Sequence, residues 1–354
     1  MSEPIRKRVR RGSDTDPSSC APPQEIGTDQ QVVDRERDQE LWYEDGNISL
    51  VAGNTEFRVF KGILADHSPV FKDMFSLPQP PNPAPPQASE ACPVVYLMDS
   101  PEEVRHLIRV CIPKTGASRY APHDPTYDEL ASLIRLGHRY QMPHLVDDSI
   151  NYLKRYFTDD FDTYAKLDSL CPPRFTTCHA VGVVNLARLT GCMQLLPSAL
   201  LMCCLIGDKV FKGAFRRRGE QREQLHPDDL KLCYVARTEL AAAAVAMILH
   251  IFRPQYADRC KQPPTCQSAL INLVSQQHEH ANEICTTNPF IPRLPLYEHL
   301  RGALCRRCFA MLEERDTCER RTMWKKLPEL LGIVVDGWTA DDDAGETAPQ
   351  AATA

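Results

Sequence analysis

The stretch that decides the fold of the first half of the chain is DGNISLVAGNTEFRVFKGILADHSPVFKDMF, residues 45–75. Apolar and polar residues alternate on both sides of Gly53 and Asn54, which is the pattern of a β-hairpin. Ser68 is then placed to cap a helix, and Pro69 fits the first position of that helix. The stretch therefore predicts a hairpin followed by helices.

The sequence that follows predicts one more strand and several helices. Residues 94–97, VVYL, have strand composition. Ser100 and Thr126 each precede a glutamate by three positions, which is the spacing of a capping box at a helix start. We therefore expect an α+β fold over residues 41–158, with a small sheet flanked by helices.

Composition changes on either side of this unit. Residues 1–40 and 340–354 are polar with few large apolar side chains, which predicts a disordered arm and a disordered acidic tail. Residues 78–93 contain seven prolines and predict an extended loop.

Residues 159–339 carry no strand signal and predict an all-α region, since their apolar runs are separated by Pro or Gly clusters. These runs lie near 178–190, 193–212, 227–253, 266–285 and 297–327.

Overall charge and hydropathy exclude several classes of function. The net charge of −6 is not that of a chain whose general task is to neutralise phosphates, so we do not expect a nucleic acid as the main partner. The N-terminus has no apolar stretch after its charges, and the most apolar windows, Leu195–Ile206 and Leu240–Phe252, are shorter than the roughly 20 residues that span a membrane. We expect an intracellular protein, in the nucleus or the cytoplasm, with no membrane partner.

One basic cluster leaves an alternative open. It consists of Arg6, Lys7, Arg8, Arg10 and Arg11. Such a run on a flexible arm fits a nuclear-import signal or a nucleic-acid tether, and it fits a solvated charge run equally well. The alternative function is accordingly a nuclear transcriptional regulator tethered through this arm.

The fifteen cysteines do not form a regular disulfide framework, because their number is odd and their spacing irregular. Cys203, Cys204 and Cys233 lie among apolar residues and are interpreted as small core residues in a reducing compartment.

Cys305 and Cys308 have the spacing most typical of a metal site, with two thiols on one side of a helix. Structural zinc needs four ligands, which distant residues would have to complete, and the candidates are Cys260, Cys266, Cys285, His278 and His280. Because Leu304 and Phe309 flank the pair, we favour buried core cysteines and predict neither a metal nor a cofactor.

No sequence motif of a hydrolase, kinase or nucleotide-binding enzyme is present, and His278 and His280 lack the spacing of a zinc-protease pair. We therefore predict no catalytic residues and a protein that is not an enzyme.

Residues 41–158 as a whole resemble a BTB/POZ domain. The resemblance is carried by DGNISLVAGNTEFRVFKGILADHSPVFKDMFSL and LASLIRLGHRYQMPHLVDDSINYLKRYF. Over its full length the chain further resembles fungal BTB-domain proteins of the basidiomycete type, with a proline-rich break after MFSLPQP and an ending similar to LCRRCFAMLEERDTCERRTMWKKLPELLGI.

This resemblance implies protein–protein interaction, often as a homodimer that forms through the first strand and first helices. In some members it implies adaptor service to cullin ubiquitin ligases. The residues expected to line the interface are Trp42, Tyr43, Leu64, Val70, Phe71, Met74 and Phe75. We thus expect a scaffold or adaptor whose helical region supplies a second binding surface.

One departure from the family bears on the cullin role. Cullin-binding members typically carry a hydrophobic-x-Glu motif after the helix pair, whereas this chain has Leu77, Pro78 and Gln79 followed by further prolines. Cullin recruitment through that contact is therefore expected to be weak, with Phe71, Met74 and Phe75 contributing more than Gln79.

Overall fold

A four-stranded mixed sheet organises the first half of the chain in the computed structural model, which describes residues 35–77, 92–112, 124–215 and 222–338. The strand order is β1-β3-β2-β4, with β1 at Glu36–Trp42, β2 at Ile48–Ala52, β3 at Thr55–Val59 and β4 at Val94–Leu97. The α+β prediction for this half is confirmed.

The predicted hairpin is the centre of this sheet. β2 and β3 pair antiparallel with Leu50 opposite Phe57, and both side chains are fully buried. Gly53 has a φ of +53° in the connecting turn, a left-handed conformation that glycine adopts at little steric cost. The local turn residues and the alternating pattern thus fix the register of the hairpin.

The first strand begins earlier than predicted. Residues 36–40, which we assigned to the disordered arm, belong to β1, which pairs in parallel with β3. The strand is highly charged and carries no alternating apolar pattern. Asp38 is buried and accepts hydrogen bonds from the backbone N–H of Leu41 (2.8 Å) and from Arg105 Nε (2.8 Å). Contacts with a later helix, which local sequence does not reveal, therefore hold β1 in place.

Five helices surround the sheet: α1 at Lys61–His67, α2 at Pro69–Ser76, α3 at Pro101–Cys111, α4 at Tyr127–Arg139 and α5 at Pro143–Lys154. The predicted N-terminal caps are present, since Ser68 accepts from Phe71 N, Ser100 accepts from Glu103 N, and Thr126 forms a complete capping box. These caps satisfy backbone donors that have no partner inside a helix.

The remaining described chain is helix-rich, as predicted. It contains α6 (Phe161–Ala165), α7 (Ala180–Thr190), α8 (Leu196–Leu205), α9 (Lys209–Lys212), α10 (Pro227–Ile251), α11 (Pro263–Gln276), α12 (Ala281–Ile284), α13 (Leu294–Tyr297), α14 (Arg306–Lys325) and α15 (Leu327–Leu330), with short 3-10 segments between some of them. One small exception to the all-α prediction is a two-stranded ladder of β5 (Ala214–Phe215) and β6 (Arg222–Glu223).

Three clusters of buried apolar residues hold these elements together. The first lies between the sheet and helices α1 to α4, around Phe57. The second joins α4 and α5 to α7, α8, α10 and the buried Trp324. The third lies between the end of α10, α11 and the start of α14, around Phe252. The second cluster crosses residue 158, so the two predicted domains share one apolar core.

A buried ion-pair network reinforces this shared core. Glu223 of β6 accepts hydrogen bonds from Arg135 Nη2 (2.6 Å), Tyr127 OH (2.6 Å) and Asn185 Nδ2 (3.2 Å). Burial by itself raises the pKa of the Glu223 carboxyl, but the Arg135 charge and these hydrogen bonds outweigh it and hold the pKa below its usual value. The network therefore ties α4 to the ladder and to α7 through a carboxylate that stays charged.

Helix α10 is longer than either apolar window suggested. It has 25 residues and is long and apolar enough to cross a membrane by length and composition alone, and a third of its apolar window is buried. A core helix of a soluble protein has the same properties, so this helix is weak evidence for a membrane span. In this fold, Cys233, Leu240 and Met247 face the apolar clusters.

Candidate functional site

The helix pair α1–α2 carries most of the predicted interface residues. Ser68 joins the two helices, and its Oγ accepts from Phe71 N (3.0 Å) and donates to the backbone carbonyl of Tyr140 (2.6 Å). The Phe71 ring stacks on the Tyr140 ring with a centroid distance of 4.3 Å. These contacts fix α2 against the junction between α4 and α5.

Two of the predicted interface residues are core residues. Leu64 is 0% exposed and Phe71 is 1% exposed, and both pack in the apolar cluster beneath the helix pair. Their side chains cannot touch a partner in this conformation. Helical periodicity places both on the apolar faces of their helices but does not distinguish a face that meets the core from one that meets a partner.

The other five predicted residues are half-buried. Val70, Met74 and Phe75 pack against the core from α2, and Leu77, directly after the helix, is 64% exposed. We call these four residues the α2 face. Leu77 was not among the predicted interface residues, although its place one residue beyond the helix and before the prolines could have indicated it.

Trp42 and Tyr43 lie at the end of β1. The Tyr43 ring is 5.1 Å from the Phe60 ring, and the Arg37 guanidinium lies 4.5 Å from the centroid of the Trp42 ring. Trp42 Nε1 is buried without a hydrogen-bond partner among the described residues. Both aromatic residues therefore remain candidates for an interface.

A second exposed apolar site, which sequence reasoning missed, follows from the position of β4 at the edge of the sheet. Tyr96 is 63% exposed and Met98 is 98% exposed. The alternation in VVYLM could have indicated it, because residues 95 and 97 point inward and their neighbours point outward.

Four cysteine thiols meet at a separate place in the helical region. The Sγ atoms of Cys260, Cys266, Cys305 and Cys308 all lie within 4.8 Å of one another, and we call them the cysteine cluster. Cys266 and Cys308 are fully buried, whereas Cys260 and Cys305 are partly exposed. The backbone N–H of Cys308 donates to Cys305 Sγ and is the main cause of a Cys305 pKa lowered to about 6.

The sequence predicted that Cys305 and Cys308 are buried core cysteines, and the structure agrees with this only in part. Cys308 is buried as expected, but both cysteines also meet two of the distant candidates, Cys260 and Cys266. The other three candidates lie outside the cluster: Cys285 and His278 are exposed, and His280 faces Glu283 at 3.5 Å. By contrast, Cys203, Cys204 and Cys233 are buried in the second apolar cluster, as predicted.

Several predicted features lie outside the described residues. They are the basic cluster from Arg6 to Arg11, the acidic tail at 340–354, Gln79, and all of the proline-rich insert except Cys92 and Pro93. Their roles stay predictions.

Comparison with known proteins agrees with the fold of the unit that contains the four-stranded sheet. The family model of the BTB/POZ domain matches residues 39–156. No curated protein matches the chain. The matched residues include the whole hairpin, α1 to α5, and all but the first three residues of β1. Residues 39–156 therefore form a BTB/POZ domain, a protein–protein interaction module that is generally not catalytic.

Proposed function

We propose that this protein is an adaptor or scaffold that self-associates through the α2 face of its BTB/POZ domain. The observation that carries the proposal is the exposed Leu77, which continues the half-buried apolar surface of Val70, Met74 and Phe75. A few apolar anchors at the centre of an interface can supply most of its binding energy.

The arrangement of α2 supports this proposal. Because Ser68 and the stacked Phe71 and Tyr140 rings fix the helix, its outer side chains are positioned before binding. A preorganised surface loses little conformational entropy on association. Trp42 and Tyr43 at the end of β1 offer additional aromatic surface for the same kind of contact.

Sedimentation velocity of the full chain tests the proposal. We expect a dimer at micromolar concentration and a shift to monomer in Leu77→Asp and Met74→Asp, because a buried carboxylate without a partner strongly opposes association. Leu77→Asp is the cleaner variant, since this side chain contributes little to the core.

Met98→Asp is the matched control. It places the same charge on a fully exposed apolar residue that directly follows the edge strand β4 and is not part of the α2 face, and it should leave the dimer intact. A wild-type chain that is monomeric at every concentration would contradict self-association. Dissociation by Met98→Asp alone would assign the interface to the edge at β4.

Helix α10 offers a second surface for a different protein partner. Tyr234, Val235 and Leu249 are 74%, 51% and 61% exposed, although neighbouring residues of the same helix are buried. A scaffold needs two surfaces that act independently. Pull-down of partners by the full chain should therefore respond to Tyr234→Asp without any change in sedimentation.

Adaptor service to a cullin is a narrower form of this proposal. The chain has Gln79 where the motif of cullin-binding BTB members has Glu, so we expect any cullin affinity to depend on Met74 and Phe75. Phe71, which we also expected to contribute, is buried and cannot make this contact. Binding of a purified cullin should be lost in Met74→Asp and unchanged in Gln79→Ala, and strong binding lost in Gln79→Ala would contradict this idea.

The regulator alternative rests on the basic cluster alone. If it is correct, the full chain should bind DNA with an affinity that falls steeply with salt, and removal of residues 1–12 should abolish binding.

A further inference from the structure

The cysteine cluster is assembled from three separate segments of the chain. Cys260 lies in the loop after α10, Cys266 lies in the first turn of α11, and Cys305 and Cys308 lie at the start of α14. The spacing is Cys-x5-Cys followed, after 38 intervening residues, by Cys-x2-Cys. Two pairs of closely spaced cysteines brought together by the fold are the usual composition of a structural zinc site.

The distances between the sulfur atoms match tetrahedral coordination. Cys260 Sγ lies 3.7 Å from Cys305 Sγ and 3.5 Å from Cys308 Sγ. With zinc–sulfur bonds of about 2.3 Å, tetrahedral geometry separates the sulfur atoms by roughly 3.8 Å. A disulfide requires about 2.05 Å, and all four cysteines are free thiols in this structure.

Every sulfur atom of the cluster accepts a hydrogen bond from the backbone. Cys260 Sγ accepts from Gln262 N (3.4 Å), Cys266 Sγ accepts from Cys305 N (3.3 Å), and Cys308 Sγ accepts from Ala257 N (3.4 Å). Cys305 Sγ accepts from the backbone of Cys308 and Lys261. Such donors are what negatively charged thiolate ligands need around a metal ion, whereas apolar packing does not require them.

The surroundings of the cluster are electropositive. Helices α11 and α14, of 14 and 20 residues, both begin beside it, and the N-terminus of a helix favours negative charge. Four exposed basic residues lie next to three of the cysteines in the sequence: Arg259 and Lys261 beside Cys260, and Arg306 and Arg307 between Cys305 and Cys308. Zinc held by four thiolates carries a net charge of −2, which this environment compensates.

The loop that carries Cys260 has an unusual backbone. Arg259 has a φ of +57°, a left-handed conformation that is uncommon for a residue other than glycine. Its carbonyl oxygen accepts from Arg307 Nη1 at 2.8 Å, which connects the loop to the start of α14. The two cysteine-bearing segments are thus also joined by a contact that does not involve sulfur.

We propose that the cysteine cluster binds one Zn²⁺ ion in a structural site. The four thiols lose their protons on binding, and the four sulfur atoms fill the tetrahedral coordination of the ion. No position is left for water or substrate, so the site is not catalytic. Zinc would fix the loop after α10 to the starts of α11 and α14 and close the third apolar cluster at its end.

Metal analysis of the full chain, purified with a reducing agent and without chelator, tests this proposal. We expect about one zinc per chain and its loss in the Cys305→Ser, Cys308→Ser double variant. Cys285→Ser is the matched control, because Cys285 is an exposed cysteine of the same region outside the cluster. It should retain the full zinc content.

A second measurement does not depend on the folding of a variant. Zinc is removed from the wild-type chain with a chelator, and Co²⁺ is added in its place. We expect the visible absorption of tetrahedral Co²⁺ with sulfur-to-cobalt charge transfer at one equivalent.

Wild-type protein that holds no more zinc than the double variant, and that gives no tetrahedral cobalt spectrum, would overturn the proposal. A disulfide within the cluster, found by mass spectrometry of chain alkylated without reduction and accompanied by no metal, would equally overturn it and assign the cluster to redox chemistry.

Discussion

The BTB/POZ domain and the last third of the described chain differ in how their elements are held together. The domain closes an apolar core beneath a sheet whose strands and helix caps are specified by short local patterns. The region around α11 and the start of α14 has a smaller apolar cluster, a long irregular loop and four converging thiols. Where apolar burial is limited, a metal ion is a common additional source of stability.

Removal of zinc should change the local stability of one region and leave that of the other unchanged. Chelation should raise amide hydrogen exchange between Cys260 and Leu312 by more than about tenfold, which corresponds to about 1.4 kcal/mol of local stability, and should leave β2 and β3 unchanged. Hydrogen exchange with mass spectrometry measures both regions in one sample. Chelator presaturated with zinc is the control, and equal loss of protection in the hairpin would contradict a local role for the metal.

Truncation of Trp324 should destabilise the second apolar cluster, which joins α4 and α5 of the BTB/POZ domain to the helical region. Its ring is fully buried among aromatic residues, including Tyr164 and Phe290, and its Nε1 donates to the Asp159 carbonyl at 2.7 Å. Trp324→Ala should lower the free energy of unfolding by about 3–5 kcal/mol, measured by urea denaturation. Tyr234→Ala, the control at an exposed aromatic residue, should change this free energy by less than about 0.5 kcal/mol. Equal effects of the two variants would contradict the assignment of Trp324 to the core.

Replacement of Glu223 tests the polar contact between the domain and the helical region. Glu223→Gln should lower the free energy of unfolding by about 1.5–3 kcal/mol near neutral pH, because Arg135 loses its closest carboxylate. The folded-state pKa is lowered, so the contribution of the carboxylate is complete above its ordinary value of 4.5 and is lost as the pH falls through the lowered pKa.

Urea denaturation of the wild type and Glu223→Gln between neutral and acidic pH measures this dependence. The difference between the two proteins should shrink below about pH 4.5. Glu298→Gln, the matched control at an exposed residue, should leave the free energy of unfolding at neutral pH within about 0.5 kcal/mol of the wild type. A difference that grows on acidification would refute the assignment.

Among the three core and contact substitutions, the smallest effect belongs to the cap between α1 and α2. Ser68→Ala removes the cap of α2 and leaves the Tyr140 carbonyl without this donor, so a loss of about 1–2 kcal/mol is expected. Ser76→Ala, where the exposed hydroxyl only donates to the Lys72 carbonyl, should cost less than about 0.5 kcal/mol. A destabilisation by Ser76→Ala as large as that by Ser68→Ala would argue against the cap as the source.

The sequence alone determined the features that depend on neighbours in the chain. The hairpin around Gly53 and the caps at Ser68, Ser100 and Thr126 were predicted because turn and cap energies arise within a few residues. The helix-rich nature of the second half followed from its apolar runs in the same way.

Tertiary structure alone decided the features that join distant residues. The charged strand β1 is held by its pairing with β3 and by the ion pair between Asp38 and Arg105. Leu64 and Phe71 are core residues because they pack in the apolar cluster between the sheet and its helices. The cysteine cluster is the clearest case. The CxxC spacing was visible in the sequence, but which of five candidates would complete it depended on how the loop after α10 folds back on α14. Loop closure over such separations is set by packing and long-range hydrogen bonds, which leave no periodic signal in the sequence.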